Sequence, residues 1–103
     1  MIANFQEKVY SLCKRVPEGK VTTYGEIAKS IGKTGLLSRA VGNALNKNPY
    51  APVIPCHRVV KSDGSIGGFA SGSRKKINLL RKEGISIKNN KIIDFKKRLY
   101  RLK

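Results

Sequence analysis

Acidic residues are scarce in this chain of 103 residues. It has 6 Asp and Glu against 22 Lys and Arg, which gives a formal net charge of +16. A protein needs much less charge than this to stay soluble, so we predict a polyanionic partner. No stretch approaches the roughly 18 consecutive apolar residues of a membrane-spanning helix, which leaves nucleic acid as the favoured partner. The alternative is a solvated basic surface of the kind found in proteins that work at high temperature.

Residues that bind metals or form disulfide bonds are also few. The cysteines and histidines of the whole chain are Cys13, Cys56 and His57. They are too few and too scattered for a four-ligand zinc site, so we expect no metal, and the sequence indicates no cofactor. No segment resembles a signal peptide, so we expect a cytoplasmic protein with free thiols.

The hydrophobic pattern predicts a helix-turn-helix in the first half of the chain. Thr23 and Glu26 form a T-x-x-E capping box, which marks the start of a short helix that ends at Gly32. A second helical pattern begins near Leu36 and ends before Pro49, and two helices joined by so tight a link are typical of a helix-turn-helix. In a protein this basic, the second helix is the candidate to enter a DNA groove.

The remaining patterns complete a single small domain. A helix is predicted over residues 4–16 and another from Arg74 to Lys82, with a hairpin around Asn89 and Asn90. The fold class is therefore mainly α with small β elements, a winged helix-turn-helix-like DNA-binding domain. We place its body at residues 1–84. Residues 85–103 would form a hairpin and a basic tail, which either packs on the domain or extends from it as an arm that orders on DNA.

The segment Cys56-His57-Arg58 is the candidate for chemistry. A cysteine is nucleophilic as its thiolate, and a nearby histidine or cationic field favours that form. Neighbouring residues on a strand point to opposite faces, so His57 can act on Cys56 only where the backbone turns or a water bridges them. The alternative is a buried structural thiol, which is also how we interpret Cys13 on the apolar stripe of its helix. Glu83 ends its helix against the helix dipole, which indicates a tertiary partner.

Longer blocks of the sequence resemble the DNA-binding domain of O6-alkylguanine-DNA alkyltransferases. The blocks include the T-x-x-E helix start, the candidate recognition helix, the I-P-C-H-R-V-V segment and the end of the helix that leads to Glu83. Their order and spacing match from about Phe5 to Gly84. They lie at residues 23–28, 39–45, 48–49, 54–60, 67–69 and 79–84.

This resemblance implies a set of catalytic residues. Cys56 would displace guanine from the alkyl carbon and keep the alkyl group, so that one molecule repairs one lesion. His57 would draw the proton from Cys56 through a water, and Glu83 would orient the imidazole. Asn48 would hold the turn that carries the cysteine, and Tyr24 would donate a hydrogen bond to guanine N3. From the residues alone, Asn48 is also a helix C-cap and Tyr24 a core aromatic, and these alternatives stay open.

The same resemblance implies how damaged DNA is held. The target atom lies inside the base stack, so Arg39 would fill the place of a flipped-out nucleotide, with a simple phosphate contact as the alternative. Ala40 and Gly42 would let the recognition helix approach the minor groove closely. The carbonyl of Val59 and the amide of Ala70 would read the guanine edge. The full set of predicted contacts to DNA or to the flipped base is Thr23, Tyr24, Arg39, Ala40, Gly42, Val59 and Ala70.

Two other functions compete with repair. Alkyltransferase-like proteins share this domain but lack the cysteine, and they bind alkylated guanine without repairing it; the presence of Cys56 argues against that class. A winged-helix regulator is weaker still, because DNA binding alone does not require Tyr24, Asn48 and Glu83 together. We expect a monomer that binds double-stranded DNA containing O6-alkylguanine and no membrane. Many relatives carry a further N-terminal domain of RNase H-like type.

Overall fold

The computed structural model describes residues 2–32, 38–47, 54–67 and 73–102, without side-chain placement for residues 2–4 and 73. Its helices are α1 (Ile2–Lys14), α2 (Tyr24–Gly32), α3 (Ser38–Asn46), α4 (Ser73–Lys82) and α5 (Phe95–Arg98), with a 3-10 turn at Cys56–Arg58. Its strands are β1 (Thr22–Thr23), β2 (Val59–Val60), β3 (Ile87–Lys88) and β4 (Lys91–Ile92). The predicted fold class, mainly α with small β elements, is confirmed. Within these ranges no helix is long and apolar enough to cross a membrane.

Helices α1, α2 and α3 pack around one hydrophobic core. Val9 of α1, Ile27 of α2 and Val41 of α3 are fully buried there, and burying each such side chain stabilises the fold by about 1.5–3 kcal/mol. The N-cap half of the capping box is confirmed, because Thr23 Oγ1 accepts a 3.0 Å hydrogen bond from the amide of Glu26. The Glu26 carboxylate accepts from Arg101 and the Leu102 amide instead. The link between α2 and α3 lies outside the described residues.

A short parallel ladder ties the start of α2 to the segment that follows Cys56. Thr22 pairs with Val59, and Thr23 pairs with Val60. Both strands are buried on their two faces, which suits the β-branched residues found in them. The ladder therefore fixes β2, and with it the turn that carries Cys56, against the first residue of α2.

The predicted hairpin forms the centre of a second core. Asn89 and Asn90 both have positive φ, at 53° and 63°, which is the backbone of the two-residue hairpin turn that asparagine tolerates. Beneath it, Leu80 of α4 packs with apolar side chains of β2, β3, β4 and the loops beside them. Helix α4 ends at Lys82. Gly84 follows with a φ of +89°, which allows the Ile85 amide to donate back to the Leu80 carbonyl at 3.1 Å.

The tail packs on the domain, which is the first of the two arrangements that the sequence left open. The Tyr100 amide donates to the Val21 carbonyl at 2.7 Å, and Leu102 is buried in the first core, with 5% of its surface exposed. The Glu26 carboxylate of α2 accepts hydrogen bonds from Arg101 Nη1 at 2.8 Å and from the Leu102 amide at 3.3 Å. The end of the chain thus closes the core beside α2, and removing it would expose apolar surface.

Candidate active site

Cys56 sits on a tight turn rather than on a strand. The amide of Cys56 donates to the Ile54 carbonyl at 2.8 Å, and Pro55 between them has φ −80° and ψ 64°, the geometry of an inverse γ-turn. The fixed φ of proline suits this turn. Cys56 is 4% exposed, and its turn continues into the buried β2. The backbone therefore bends between Cys56 and His57, as their cooperation requires.

Glu83 has the tertiary partner that its position predicts, and a second one besides. Its Oε2 lies 2.8 Å from His57 Nε2. Arg58 clamps the same carboxylate through Nε at 2.9 Å and Nη2 at 2.6 Å, while its Nη1 donates to the Val16 carbonyl at 2.9 Å. Such a two-pronged pair fixes a carboxylate in one plane. Arg58 therefore holds Glu83 against His57 and ties both to the segment just after α1.

The pKa values of His57 and Glu83 allow His57 to act as a base at neutral pH. Burial lowers the pKa of His57 below its ordinary 6.5 and outweighs the hydrogen bond to Glu83, which raises it. Burial would raise the pKa of Glu83, but the hydrogen bonds from Arg58 and His57 hold it below its ordinary 4.5. At neutral pH the pair is thus a neutral imidazole against a carboxylate. Because a carboxylate can only accept, Nε2 carries the hydrogen and Nδ1 is the basic nitrogen.

The basic nitrogen of His57 is available for proton transfer. Nδ1 is buried and has no hydrogen-bond partner among the described residues. A buried acceptor in that condition costs free energy unless water or a proton donor meets it. The arrangement suits a water shared between His57 and the neighbouring thiol.

A buried lysine, which the sequence reasoning missed, adjoins Tyr24. Lys76 of α4 is fully buried, and its Nζ donates to the Val59 carbonyl at 2.6 Å and to Tyr24 Oη at 3.4 Å. Burial lowers the pKa of Lys76 to about 8, although negative charge on Cys56 raises it. The signal for it was spacing, since Lys76 lies one helical turn before Leu80 and so shares its inward face.

Tyr24 is half-buried at the same place. Burial is the main cause that raises its pKa to about 12, so its hydroxyl keeps its proton at neutral pH. Gly67, with φ +74°, passes so close that an added Cβ would lie 3.3 Å from Tyr24 Oη. Glycine is therefore required there by both conformation and space. A groove of about 390 Å³ opens beside it, lined by Tyr24, Gly25, Ser38, Lys61, Ser62 and Asp63.

The other predicted site residues lie at several places in the structure. Arg39 is exposed on α3, and Ala40 and Gly42 are partly exposed on the same helix, as a helix that approaches DNA needs. Thr23 is 6% exposed, and its hydroxyl oxygen caps α2; its contact with DNA stays a prediction. Asn48 and Ala70 lie outside the described residues. The Val59 carbonyl is already hydrogen-bonded to a lysine, which the sequence did not predict.

Metal binding finds no support in the described part of the chain. There, no group of three or more His, Cys, Asp or Glu side chains could hold a metal ion. Both cysteines are free thiols. Burial raises the pKa of Cys13 to about 12, so that thiol is protonated and inert at neutral pH.

Several known proteins are similar to this chain over most of its length. A methylated-DNA--protein-cysteine methyltransferase of Methanosarcina acetivorans is 50% identical over 80 residues, which are 78% of this chain and 51% of that protein. The crystal structure of Mycobacterium tuberculosis OGT in complex with DNA aligns with a TM-score of 0.74 at 41% identity, over 78% of this chain and 49% of that one. The chain thus spans about half the length of these relatives.

Solved S. pombe structures match almost the whole chain. S. pombe Atl1, in complex with damaged DNA containing O6-carboxymethylguanine, aligns with a TM-score of 0.83 at 29% identity and covers 99% of both chains. Residues 4–85 match the family model described as the DNA-binding domain of 6-O-methylguanine DNA methyltransferase. The chain therefore belongs to the 6-O-methylguanine DNA methyltransferase family, through the DNA-binding domain that its residues 4–85 form.

Proposed function

We propose that this protein repairs DNA by transferring the alkyl group of O6-alkylguanine to Cys56, once per molecule. The observation that carries the proposal is the neighbourhood of that thiol. Cys56 adjoins His57 on a tight turn, and His57 is held by Glu83 at 2.8 Å with its other nitrogen unpartnered among the described residues. A base beside a thiol, oriented by a third group, is the arrangement that activates a nucleophile.

The chemistry is an in-line substitution at a saturated carbon. The Cys56 proton passes to His57 Nδ1 through a water, and the thiolate forms a bond to the alkyl carbon as the bond from that carbon to guanine O6 breaks. The electron pair leaves with guanine, and Tyr24, protonated at neutral pH, donates a hydrogen bond to N3 of the departing base. The departing guanine takes up one proton, which balances the proton that Cys56 gives up. The product is a thioether with no ready hydrolytic route back, and no metal or cofactor is needed.

Recognition requires the damaged nucleotide to leave the stack. Arg39, exposed on α3, occupies the vacated place, while Ala40 and Gly42 let the helix lie close in the minor groove. Asn48 holds the active-site turn and the amide of Ala70 contacts the guanine edge, as the family resemblance implies. The partner is double-stranded DNA, bound by a monomer in the cytoplasm. The Val59 carbonyl accepts one hydrogen bond from Lys76 Nζ, and its second lone pair can accept another from the flipped guanine.

Lesion recognition without transfer is the second candidate. The observation that favours it is the match of S. pombe Atl1 to 99% of this chain. A non-catalytic protein would not need a buried cysteine adjoining a base that a carboxylate orients. We therefore favour transfer.

The test is the mass of the intact protein after incubation with duplex DNA that contains O6-methylguanine. We expect one added methyl group per chain, located on the peptide that carries Cys56. The control is the same duplex with unmodified guanine, which should add nothing. Tight binding of the lesion with no gain in mass would establish the second candidate instead.

A second prediction concerns Arg39. Arg39→Ala should slow transfer from duplex DNA far more than transfer from free O6-benzylguanine, because the free base needs no flipping and unstacking costs about a few kcal/mol. The matched control is Lys47→Ala, another exposed cation, just after α3, which should affect the two substrates alike. Equal losses with both substrates for Arg39→Ala would show that this residue supports the fold or the chemistry instead of flipping.

A further inference from the structure

Arg98, the last residue of α5, joins three parts of the chain that lie far apart in the sequence. Its guanidinium donates through Nη1 to the Gly19 carbonyl at 3.2 Å and through Nη2 to the Gly84 carbonyl at 3.2 Å. Its own carbonyl accepts a hydrogen bond from the Val21 amide at 2.9 Å. Because a guanidinium presents its donors in a rigid plane, it holds the two carbonyls that it binds at a fixed separation.

One of these contacts lies directly behind the carboxylate that meets His57. Gly84 is the residue after Glu83, and its carbonyl lies beyond the last turn of α4, where backbone carbonyls have no partner within the helix. The loop that follows α1 packs against the same place, since a Cβ added at Gly19 would lie 3.6 Å from the Glu83 carbonyl oxygen. Arg98 therefore ties this loop to the chain at the point where Glu83 leaves the helix.

Two arginines thus hold the same two segments together at different heights. Arg58 joins the Glu83 carboxylate to the Val16 carbonyl, whereas Arg98 joins the backbone that follows Glu83 to the next turn of the same loop. Arg58 fixes the far end of the Glu83 side chain, and Arg98 fixes the backbone from which that side chain extends. A carboxylate held at both ends stays within 2.8 Å of His57 Nε2.

We propose that Arg98 is a positioning residue for alkyl transfer, which fixes the backbone beside Glu83 and so keeps its carboxylate on His57. Arg98 lies outside residues 4–85, over which the family model matches, so the tail would contribute to the site from beyond that domain. The inference rests on the proposed function for its effect on the transfer rate. The contact between Glu83 and His57 can be tested without DNA or an alkyl donor.

The first test observes the imidazole by nitrogen–proton NMR correlation of its ring. His57 is the only histidine of the chain, so its ring signals need no further assignment. At neutral pH the parent protein should carry the hydrogen on Nε2, with that proton shifted downfield by its bond to the carboxylate. Arg98→Met removes the planar donors, so the proton should move upfield and the ring nitrogens should show a mixture of both tautomers. The matched control is Lys97→Met, which removes the same charge from its exposed neighbour on α5 and should keep the parent's spectrum.

Two further variants separate the guanidinium from general packing. Arg98→Gln has only one amide group to donate, and it serves where Arg98→Met does not fold; it should show the same change in the ring signals. Arg98→Lys keeps a charge and a donor but lacks the rigid plane, so its spectrum should lie between those of Arg98→Met and the parent. A folded Arg98→Met or Arg98→Gln protein with the parent's ring signals would overturn the proposal.

The second test measures transfer from free O6-benzylguanine, with folding checked by circular dichroism. Arg98→Met should lose about tenfold in rate, since a displacement of about 1 Å can cost up to about 100-fold, and Lys97→Met should match the parent. In a chain that already carries Glu83→Gln, Arg98→Met should cause little further loss, because the carboxylate that it positions is gone. An equal loss in both backgrounds would show that Arg98 supports the fold alone, against the proposal. If the parent transfers no alkyl group to Cys56, the proposed function fails, yet the His57 spectra still decide whether Arg98 positions Glu83.

Discussion

Replacing Cys56 by alanine is expected to abolish alkyl transfer while leaving the binding of O6-methylguanine DNA intact. The exposed face of α3 does not include Cys56, which is 4% exposed in the core, so its sulfur contributes to chemistry rather than to the DNA contact. Loss of one buried sulfur should lower the free energy of unfolding by only about 1 kcal/mol. The measurements are methyl transfer followed by intact mass, and lesion binding followed by fluorescence anisotropy with a labelled duplex.

Cys13→Ala is the matched control, because Cys13 is the chain's other buried free thiol. Its pKa of about 12, raised by burial, keeps it protonated and unreactive at neutral pH. The control should therefore transfer one methyl group at a rate close to that of the parent. Residual transfer by Cys56→Ala, or a methyl group found on Cys13, would reject the assignment of the nucleophile.

Features set by local sequence were predictable, because their causes lie within a few residues. The cap of α2 needs only Thr23 and the amide of Glu26, and the hairpin needs only Asn89 and Asn90 in the left-handed region. A capping box and a turn made of asparagines each specify their own backbone. The helices between them followed from apolar spacing of 3.6 residues.

The placement of the tail was left open because its charge and its spacing point to different arrangements. Eight residues with five cations resemble an arm for DNA, yet Leu102 alternates with exposed Arg101 and is buried in the core. The ion pair between Arg101 and Glu26 joins residues far apart in the sequence. No local sequence pattern predicts such a pairing, because it depends on where the fold places the Glu26 carboxylate of α2.

The site was predictable in part, through resemblance rather than through chemistry read from single residues. The unfavourable position of Glu83 at the negative end of its helix dipole predicted a tertiary partner, and that partner is His57. The contribution of Arg58 to that contact, and the buried Lys76, depend on the packing of α4 against the cysteine turn and have no short-range signature. Asn48 and Ala70 stay predictions, since they lie outside the described residues.

Replacing Glu83 by glutamine is expected to damage both the transfer rate and the stability of the fold. The carboxylate accepts hydrogen bonds from His57 Nε2 and from two nitrogens of Arg58, with side-chain exposures of 3%, 15% and 12% for His57, Arg58 and Glu83. An amide cannot balance the guanidinium, so Arg58 is left largely buried and unpaired, at a cost of about 1–3 kcal/mol of unfolding free energy. The imidazole loses the acceptor that fixes its tautomer, and transfer should slow about 100-fold.

The pH dependence of stability distinguishes this effect from general damage. In the parent protein the pKa of Glu83 is held below 4.5 by Arg58 and His57, against the burial that raises it. Its contribution to stability is therefore present above about pH 4.5 and is lost as pH falls through the lower, folded-state value. Glu83→Gln should lack that loss, so urea denaturation of the two proteins should converge as the solution is acidified. Glu18→Gln, a change at an exposed acid, should follow the parent at every pH and transfer at the parent's rate. If Glu83→Gln instead kept a constant deficit in stability down to the lowest pH, or transferred as fast as Glu18→Gln, the carboxylate would not be the group that orients His57.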